Sequence, residues 1–362
     1  MNNKDTFDHK HYVPVLRWRP AEKEALLQLF GEDSSKLTPL IELHPLNFTE
    51  EELRKAGGLT PQLKRIATEI GKFWGKPTAF IDFLHLEGMI NFEGKLNPLE
   101  ILFNDAINQD LHLIPVTGLE RNSAYQRAVS RVQKQQRSSV CLRVSSQQVE
   151  SLTFKNDLDQ LMNKLTLQPE HVHLLVDLKL IIPSVSDYNG FYPSIPFLKQ
   201  WKTLTIVAGA FPKDLTQFTV GEHLLRRLDW LCWHSQTHNE AVTDRPPTYG
   251  DYTIQHPFIK TISGVPNPSA SIRYTSSENW VIMRGEGLRN PDGPGHRQYP
   301  ANALQLCGRP EYCGENYCEG DRYFTELSRA TGSKGIPKTL LRAGINHHLT
   351  FVVRQISSQF SS

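Results

Sequence analysis

The chain has 362 residues, 39% hydrophobic and 22% charged, with 40 basic against 38 acidic side chains and a net charge of +2. These proportions fit a soluble globular protein and exclude a disordered, collagen-like or coiled-coil chain. The near balance of charge gives no global pull toward nucleic acid or anionic lipid. Asp82 and Asp177 interrupt the best apolar runs before they reach the roughly 18 residues needed to span a bilayer. The polar opening Met1-Asn2-Asn3 is not followed by a signal-type apolar run, and five cysteines, an odd number, read as reduced thiols. A cytoplasmic protein without membrane attachment is therefore expected.

From Tyr12 onward, short β-branched runs alternate with amphipathic stretches. Strands are predicted at 12–16, 38–43, 78–83, 113–118, 140–145, 173–178, 203–208 and 230–234. Their starts are on average roughly 31 residues apart, the size of a βα unit. Ile114-Pro115-Val116 and Leu174-Leu175-Val176 are apolar on both faces, as strands of a buried parallel sheet are. Helices are predicted to begin at Pro20, Thr60-Pro61, Asn97-Pro98, Asn122-Ser123 and Phe154, with shorter ones at 195–201 and 221–228. Proline is tolerated in a first helical turn, and asparagine is a preferred cap before it. Eight strands with about as many helices predict an α/β fold, a (β/α)8 barrel over residues 1–244, with an open doubly wound sheet as the rival.

After Thr243 the texture changes. Nine of the 23 glycines lie between Gly285 and Gly335, a density that marks loops and tight turns. Residues 245–362 read as an appended region packed on the barrel, with a strand at 280–283 and helices at 300–306 and 337–356. Because connections between successive elements are short, this region is expected to fold across the barrel mouth.

Several short motifs run in order along the chain: Tyr12-Val13-Pro14-Val15-Leu16-Arg17-Trp18-Arg19, Thr38-Pro39-Leu40-Ile41-Glu42, Ile81-Asp82, Leu142-Arg143, and Leu175-Val176-Asp177. Gly209-Ala210-Phe211-Pro212, Tyr249-Gly250-Asp251-Tyr252, Ile272-Arg273-Tyr274, Gly320-Asp321 and Asn346-His347-His348 follow. Together they resemble the beta protein family, a group of bacterial and T-even-phage proteins, over nearly the whole chain. The resemblance implies an accessory role in phages, mobile elements or antiviral loci, and hence a setting in phage–host conflict. It implies no assignment of catalytic residues.

Chemistry must be read from the residues. In a barrel, polar side chains at the carboxyl ends of strands face the mouth where ligands bind. Glu42, Asp82, Arg143 and Asp177 lie toward the carboxyl ends of four predicted strands and form the expected catalytic set, suited to acid–base or assisted hydrolysis with Arg143 steadying a phosphate or carboxylate. The competing reading is an internal Arg143–Asp177 ion pair that orders the barrel. Lys179, Tyr249, Asp251, Arg273 and His347 are the expected ligand-binding residues. Tyr249, Asp251 or His347 is expected within side-chain reach of the carboxylates.

Cys307, Cys313 and Cys318 lack the paired spacing of structural zinc sites, so no metal site is expected. Gly320-Asp321 is expected to cap a helix starting at Arg322. No phosphate-binding loop, dinucleotide fingerprint, H-E-x-x-H or G-x-S-x-G occurs, and no cofactor is indicated. The basic side chains Arg131, Lys134 and Arg137 read as a solvated helix face, so direct nucleic-acid binding is not expected. Two function classes remain open. One is a hydrolase or phosphodiesterase-like enzyme acting on a small phosphorylated or nucleotide-type ligand. The other is a non-catalytic protein that recognises a phage or host partner.

Overall fold

The computed structural model describes residues 5–86, 96–182, 188, 190–237, 244–259, 267–330 and 335–360. Eight strands, all paired in parallel, close a barrel: β1 (Tyr12–Leu16), β2 (Leu40–Glu42), β3 (Ala79–Asp82), β4 (Leu113–Thr117), β5 (Val140–Ser145), β6 (Val172–Leu180), β7 (Thr203–Gly209) and β9 (Thr248–Asp251). Helices alternate with them on the outside, so the (β/α)8 barrel is the fold. The helices start where the sequence signals them. Asn97 caps the helix Pro98–Asn108 in a capping box with Glu100, and Asn122 caps Ser123–Gln136.

The segment 195–201, expected as a short helix, forms turns instead, and two further elements differ from expectation. Residues 230–234 lie in a helix, Leu228–Thr237, and the eighth barrel strand is Thr248–Asp251. The expected boundary at 244/245 thus falls before the strand that closes the barrel. The second difference concerns β8 (Gly221–Arg226), read from the sequence as helix. It pairs antiparallel with β11 (Asn279–Gly287), which also pairs with β10 (Ser269–Thr275), giving a three-stranded sheet in the order β10-β11-β8. Helices Gln298–Cys307, Glu319–Ser328 and Pro337–Gln359 complete the appended region. No helix among the described residues is long and apolar enough to cross a membrane.

The core divides along the barrel wall. Alternate side chains of each strand point to opposite faces. Val13, Val15, Leu40, Phe80, Ile114, Val116, Cys141, Leu175 and Val207 fill the interior, while Tyr12, Leu16, Ile41, Ile81 and Tyr249 join the larger layer beneath the helices. The segment before β1 packs at the amino end, where Phe7 stacks on His11 and Lys202 holds Asp5 at 2.5 Å.

Gly250 occupies an inward position on β9. A Cβ there would stand 2.6 Å from Val207 Cγ2 and 2.8 Å from the Val13 carbonyl oxygen, so only glycine lets the wall close. Gly250→Ala is expected to cost about 1–3 kcal/mol of unfolding free energy by overpacking, read from denaturant midpoints. Gly31→Ala, where nothing lies within 4 Å, is the control, and its midpoint is expected to hold or rise.

Candidate functional site at the barrel mouth

Charged inward side chains stand toward the carboxyl ends of β2, β3, β5 and β6. Glu42 and Asp82 are register partners on β2 and β3, and Arg143 and Asp177 stand two residues beyond the inward Cys141 and Leu175. The period of two that fills the barrel with aliphatic groups therefore delivers these four side chains to the carboxyl end. They meet there. Arg143 Nη1 lies 2.8 Å from Glu42 Oε1 and 2.7 Å from Asp82 Oδ2, and its Nη2 lies 2.6 Å from Asp177 Oδ2. One planar guanidinium thus serves three carboxylates, a geometry the point charge of lysine cannot reproduce.

A further ring of groups surrounds this core. Arg121, in the loop after β4, donates to Asp82 Oδ1 at 2.5 Å. Tyr252, directly after β9, donates to Asp177 Oδ2 at 2.7 Å and accepts from Arg143 Nη2 at 2.8 Å. Arg17 approaches Glu42 at 3.9 Å and is anchored on the carbonyls of His256 and Pro257. Lys179 Nζ lies 2.8 Å from Asp177 Oδ2 and 3.0 Å from the Tyr252 hydroxyl. Lys179 reaches back over the mouth because its backbone is left-handed (φ 56°) at a break in the β6–β7 register, a device that re-aims side chains beside functional sites. Trp18 and Thr253, each following a mouth residue, are left-handed as well.

Burial pushes all three carboxyls upward, and the cations outweigh it. Arg143 holds Glu42, with His85 and Lys179 adding; Arg121 and Arg143 hold Asp82; Arg143 and Lys179 hold Asp177. Each stays below its ordinary value and is ionised. Asp82 and Asp177 are fully engaged in aligned hydrogen bonds, including those from the Leu84 and Lys179 amides. Glu42 differs. Arg143 and His85 Nε2, the latter at 3.2 Å, approach its oxygens, but among the described residues neither oxygen has an aligned hydrogen bond, nor does His85 Nε2.

The remaining expected site residues lie elsewhere. Asp251 and Tyr249 sit on the outer face of β9, where Asp251 accepts from Tyr12 at 2.5 Å and from Tyr249 at 3.0 Å and pairs with His348 Nε2 at 2.9 Å. His347 pairs with Asp321 in the appended region. Arg273 donates to the Ile254 carbonyl and covers the Phe211 ring at 4.7 Å. The C-terminal helix therefore packs on the flank, against β1 and the helix Pro20–Leu27, and the appended region brings neither Asp251 nor His347 into the carboxylate cluster. Arg121, His85, Arg17 and Tyr252 are the site residues that the sequence did not single out for this role. A usable signal existed for Arg121: Gly118 directly follows β4, at the level where neighbouring strands carry charge, and a Cβ there would lie 2.5 Å from the Arg143 carbonyl oxygen. The charge is displaced into the following loop.

The beta protein family model matches residues 12–354. The chain belongs to the beta protein family. No curated protein matches it. The family's matched span includes every strand of the barrel, all of the mouth residues and most of the appended region. A separate surface cavity of about 420 Å3, bounded by Glu120, Gln148, Asp157 and Lys164 among others, shares none of the mouth's charged residues.

Two expectations follow for this family member. Arg143→Met removes the cation shared by three buried carboxylates and is expected to destabilise the fold by about 3–5 kcal/mol, measured by chemical denaturation. The acid limb of stability is fixed in sign. Folded carboxyls held below their ordinary values bind fewer protons than the unfolded chain, so their contribution is full above the ordinary carboxylate range, about pH 4, and is lost as pH falls below it. A melting-temperature profile should fall through that range, and Asp82→Asn should fall less steeply than wild type.

Proposed function

We propose that the barrel mouth binds the phosphoryl group of a small phosphorylated or nucleotide-type ligand, and that Glu42 with His85 performs proton transfer in its hydrolysis. The carrying observation is the charge arrangement. Arg17, Arg121, Arg143 and Lys179 converge on three carboxylates, leaving a cationic excess that favours an anion at the rim. Lys179 and His85 are the accessible members, with side chains 30% and 22% exposed, whereas those of Arg121 and Arg143 are only 5% exposed. The inner charges thus fix the outer ones, as a preorganised electrostatic site requires. Glu42, lacking an aligned donor among the described residues, is the carboxylate whose oxygens remain available to the neighbouring imidazole of His85, 3.2 Å away.

A second reading, recognition without turnover, is favoured by a specific observation: Asp82 and Asp177 are consumed in ion pairs and offer no free base. In either reading the setting in phage–host conflict rests on family resemblance, and its test is genetic, by comparing phage plating on cells with and without the gene.

Calorimetric titration with inorganic phosphate, pyrophosphate and nucleoside monophosphates, paired with assays of phosphate release, separates the readings. Lys179→Ala is expected to weaken binding about tenfold, near 1.4 kcal/mol. Glu42→Gln is expected to bind and not turn over. Binding without turnover by the wild type supports recognition, and absence of binding to every anion rejects both readings.

A further inference from the structure

The appended region buries a second constellation that the mouth does not use. Cys318, Asp321 and His347 are all buried, and their ligand atoms lie within 4.8 Å of one another. Cys318 Sγ is 2.9 Å and His347 Nδ1 2.8 Å from the same oxygen, Asp321 Oδ2. The other histidine nitrogen, Nε2, lies 2.8 Å from the Thr275 carbonyl oxygen. A carbonyl can only accept, so Nε2 carries hydrogen and donates. That leaves Nδ1 facing a carboxylate across a gap that a cation must occupy, either a proton or a metal ion. Histidine ligands usually carry this kind of support: the distal N–H on a backbone carbonyl fixes the tautomer and aims the other nitrogen.

The frame around these groups is rigid. The Tyr274 ring stacks on His347 at 3.7 Å between centroids, and its hydroxyl donates to Asp321 Oδ1 while accepting from the Cys313 amide. Asn346 takes the Gly320 amide and donates to the Ala25 carbonyl. A Cβ on Gly320 would collide with the Ala343 carbonyl, so the turn bearing Cys318 and Asp321 is pressed directly on the C-terminal helix. Asp321 is not a cap. It lies in the first turn of Glu319–Ser328, with Cys318 at the cap position.

We propose that Cys318, Asp321 and His347 form a zinc site, with a water as the fourth ligand. The ligand types suit zinc, and ligand atoms around a tetrahedral ion stand roughly 3–4 Å apart, so it enters with shifts of under about 1 Å. Charge balances too. A neutral thiol, an imidazolium and a carboxylate sum to zero, as do a thiolate, a neutral imidazole, a carboxylate and a divalent ion. One zinc thus displaces two protons, the thiol proton of Cys318 and the proton between His347 and Asp321, without changing the net charge of a buried pocket. Nucleophilic chemistry does not fit these residues: burial and the neighbouring Asp321 push the Cys318 thiol upward and keep it protonated, and the carboxylate stands between sulfur and imidazole. Closed to solvent, the ion acts structurally. It joins the end of β10, the helix Glu319–Ser328 and the C-terminal helix that grips β9 through His348.

The test is metal analysis of the full chain after incubation with zinc and exhaustive dialysis, with cobalt(II) as the spectroscopic probe. About one equivalent is expected to be retained, and the cobalt form should show a thiolate-to-metal charge-transfer band. That band should vanish in Cys318→Ala and persist in Cys307→Ala, and a chelator should lower the melting temperature of the zinc form. Retention of less than about a tenth of an equivalent by wild type, or a band that survives Cys318→Ala, overturns the site. Should Cys318→Ala fail to fold, wild-type stoichiometry together with the presence or absence of the thiolate band decides. None of these readouts depends on the mouth.

Discussion

The guanidinium of Arg143 is the interaction on which the rest of this barrel depends. It projects from β5 into a closed interior and contacts carboxylates delivered by β2, β3 and β6. Three carboxylates brought that close would repel one another and lose their hydration, and a single flat cation with donors on several edges relieves both problems. Arg121 and Lys179 then neutralise what Arg143 leaves over. Packing alone does not call for this arrangement, because an ion network withdrawn from water is no more stabilising than aliphatic side chains of equal volume. The charges fix where neighbouring groups stand, and Glu42, held loosely among well-held partners, is the member left with unused hydrogen-bonding capacity.

Back to back with this network, across a single strand, lies the attachment of the appended region. Tyr252 points into the barrel and holds Asp177, while Asp251, one residue earlier, points outward and holds Tyr12, Tyr249 and His348. Burial raises the Asp251 carboxyl, and His348 with the Tyr12 hydroxyl more than offsets it, so the group is anionic. Beyond His348 the contacts continue through Thr275, whose hydroxyl meets His348 and whose carbonyl meets His347. The paired histidines, which diverge on the helix as successive residues must, thus serve two aspartates on two different elements.

How much of this was legible follows from particular residues. The barrel was readable because its first seven strands are β-branched runs bounded by helix caps. The eighth was hidden: Thr248-Tyr249-Gly250-Asp251 contains a glycine and an aspartate that resemble a turn, whereas the glycine is demanded by close approach to Val207 and Val13. Trp230-Leu231-Cys232-Trp233 was attractive as a strand because a continuous apolar run satisfies both periods and cannot separate helix from strand. Gly221-Glu222-His223-Leu224-Leu225-Arg226 is an edge strand with an exposed face, which weakens the apolar pattern that would identify it. The carboxylates at the mouth were legible from strand ends. Arg17, Arg121 and His85 reach the mouth from positions beyond the strands, set by tertiary contacts. Placing Asp251 in a loop erased its alternation, and a one-residue change of phase in a strand exchanges its faces.

The position of β9 carries a consequence for how the polypeptide assembles. After seven barrel strands the chain departs, lays down β8 and the helix Leu228–Thr237, returns to close the cylinder, and departs again to supply β10 and β11. The two bodies are threaded through each other, and no single cut separates them. During synthesis β8 emerges with no partner, since β11 is made only after the cylinder can shut. Arg227, fully buried and bonded to Ser276 and Gln355, likewise waits for residues near the end of the chain. Such delayed, sequence-distant pairing slows folding, and it makes the molecule one cooperative unit in which a shortened chain forfeits the sheet and the docking of the final helix together.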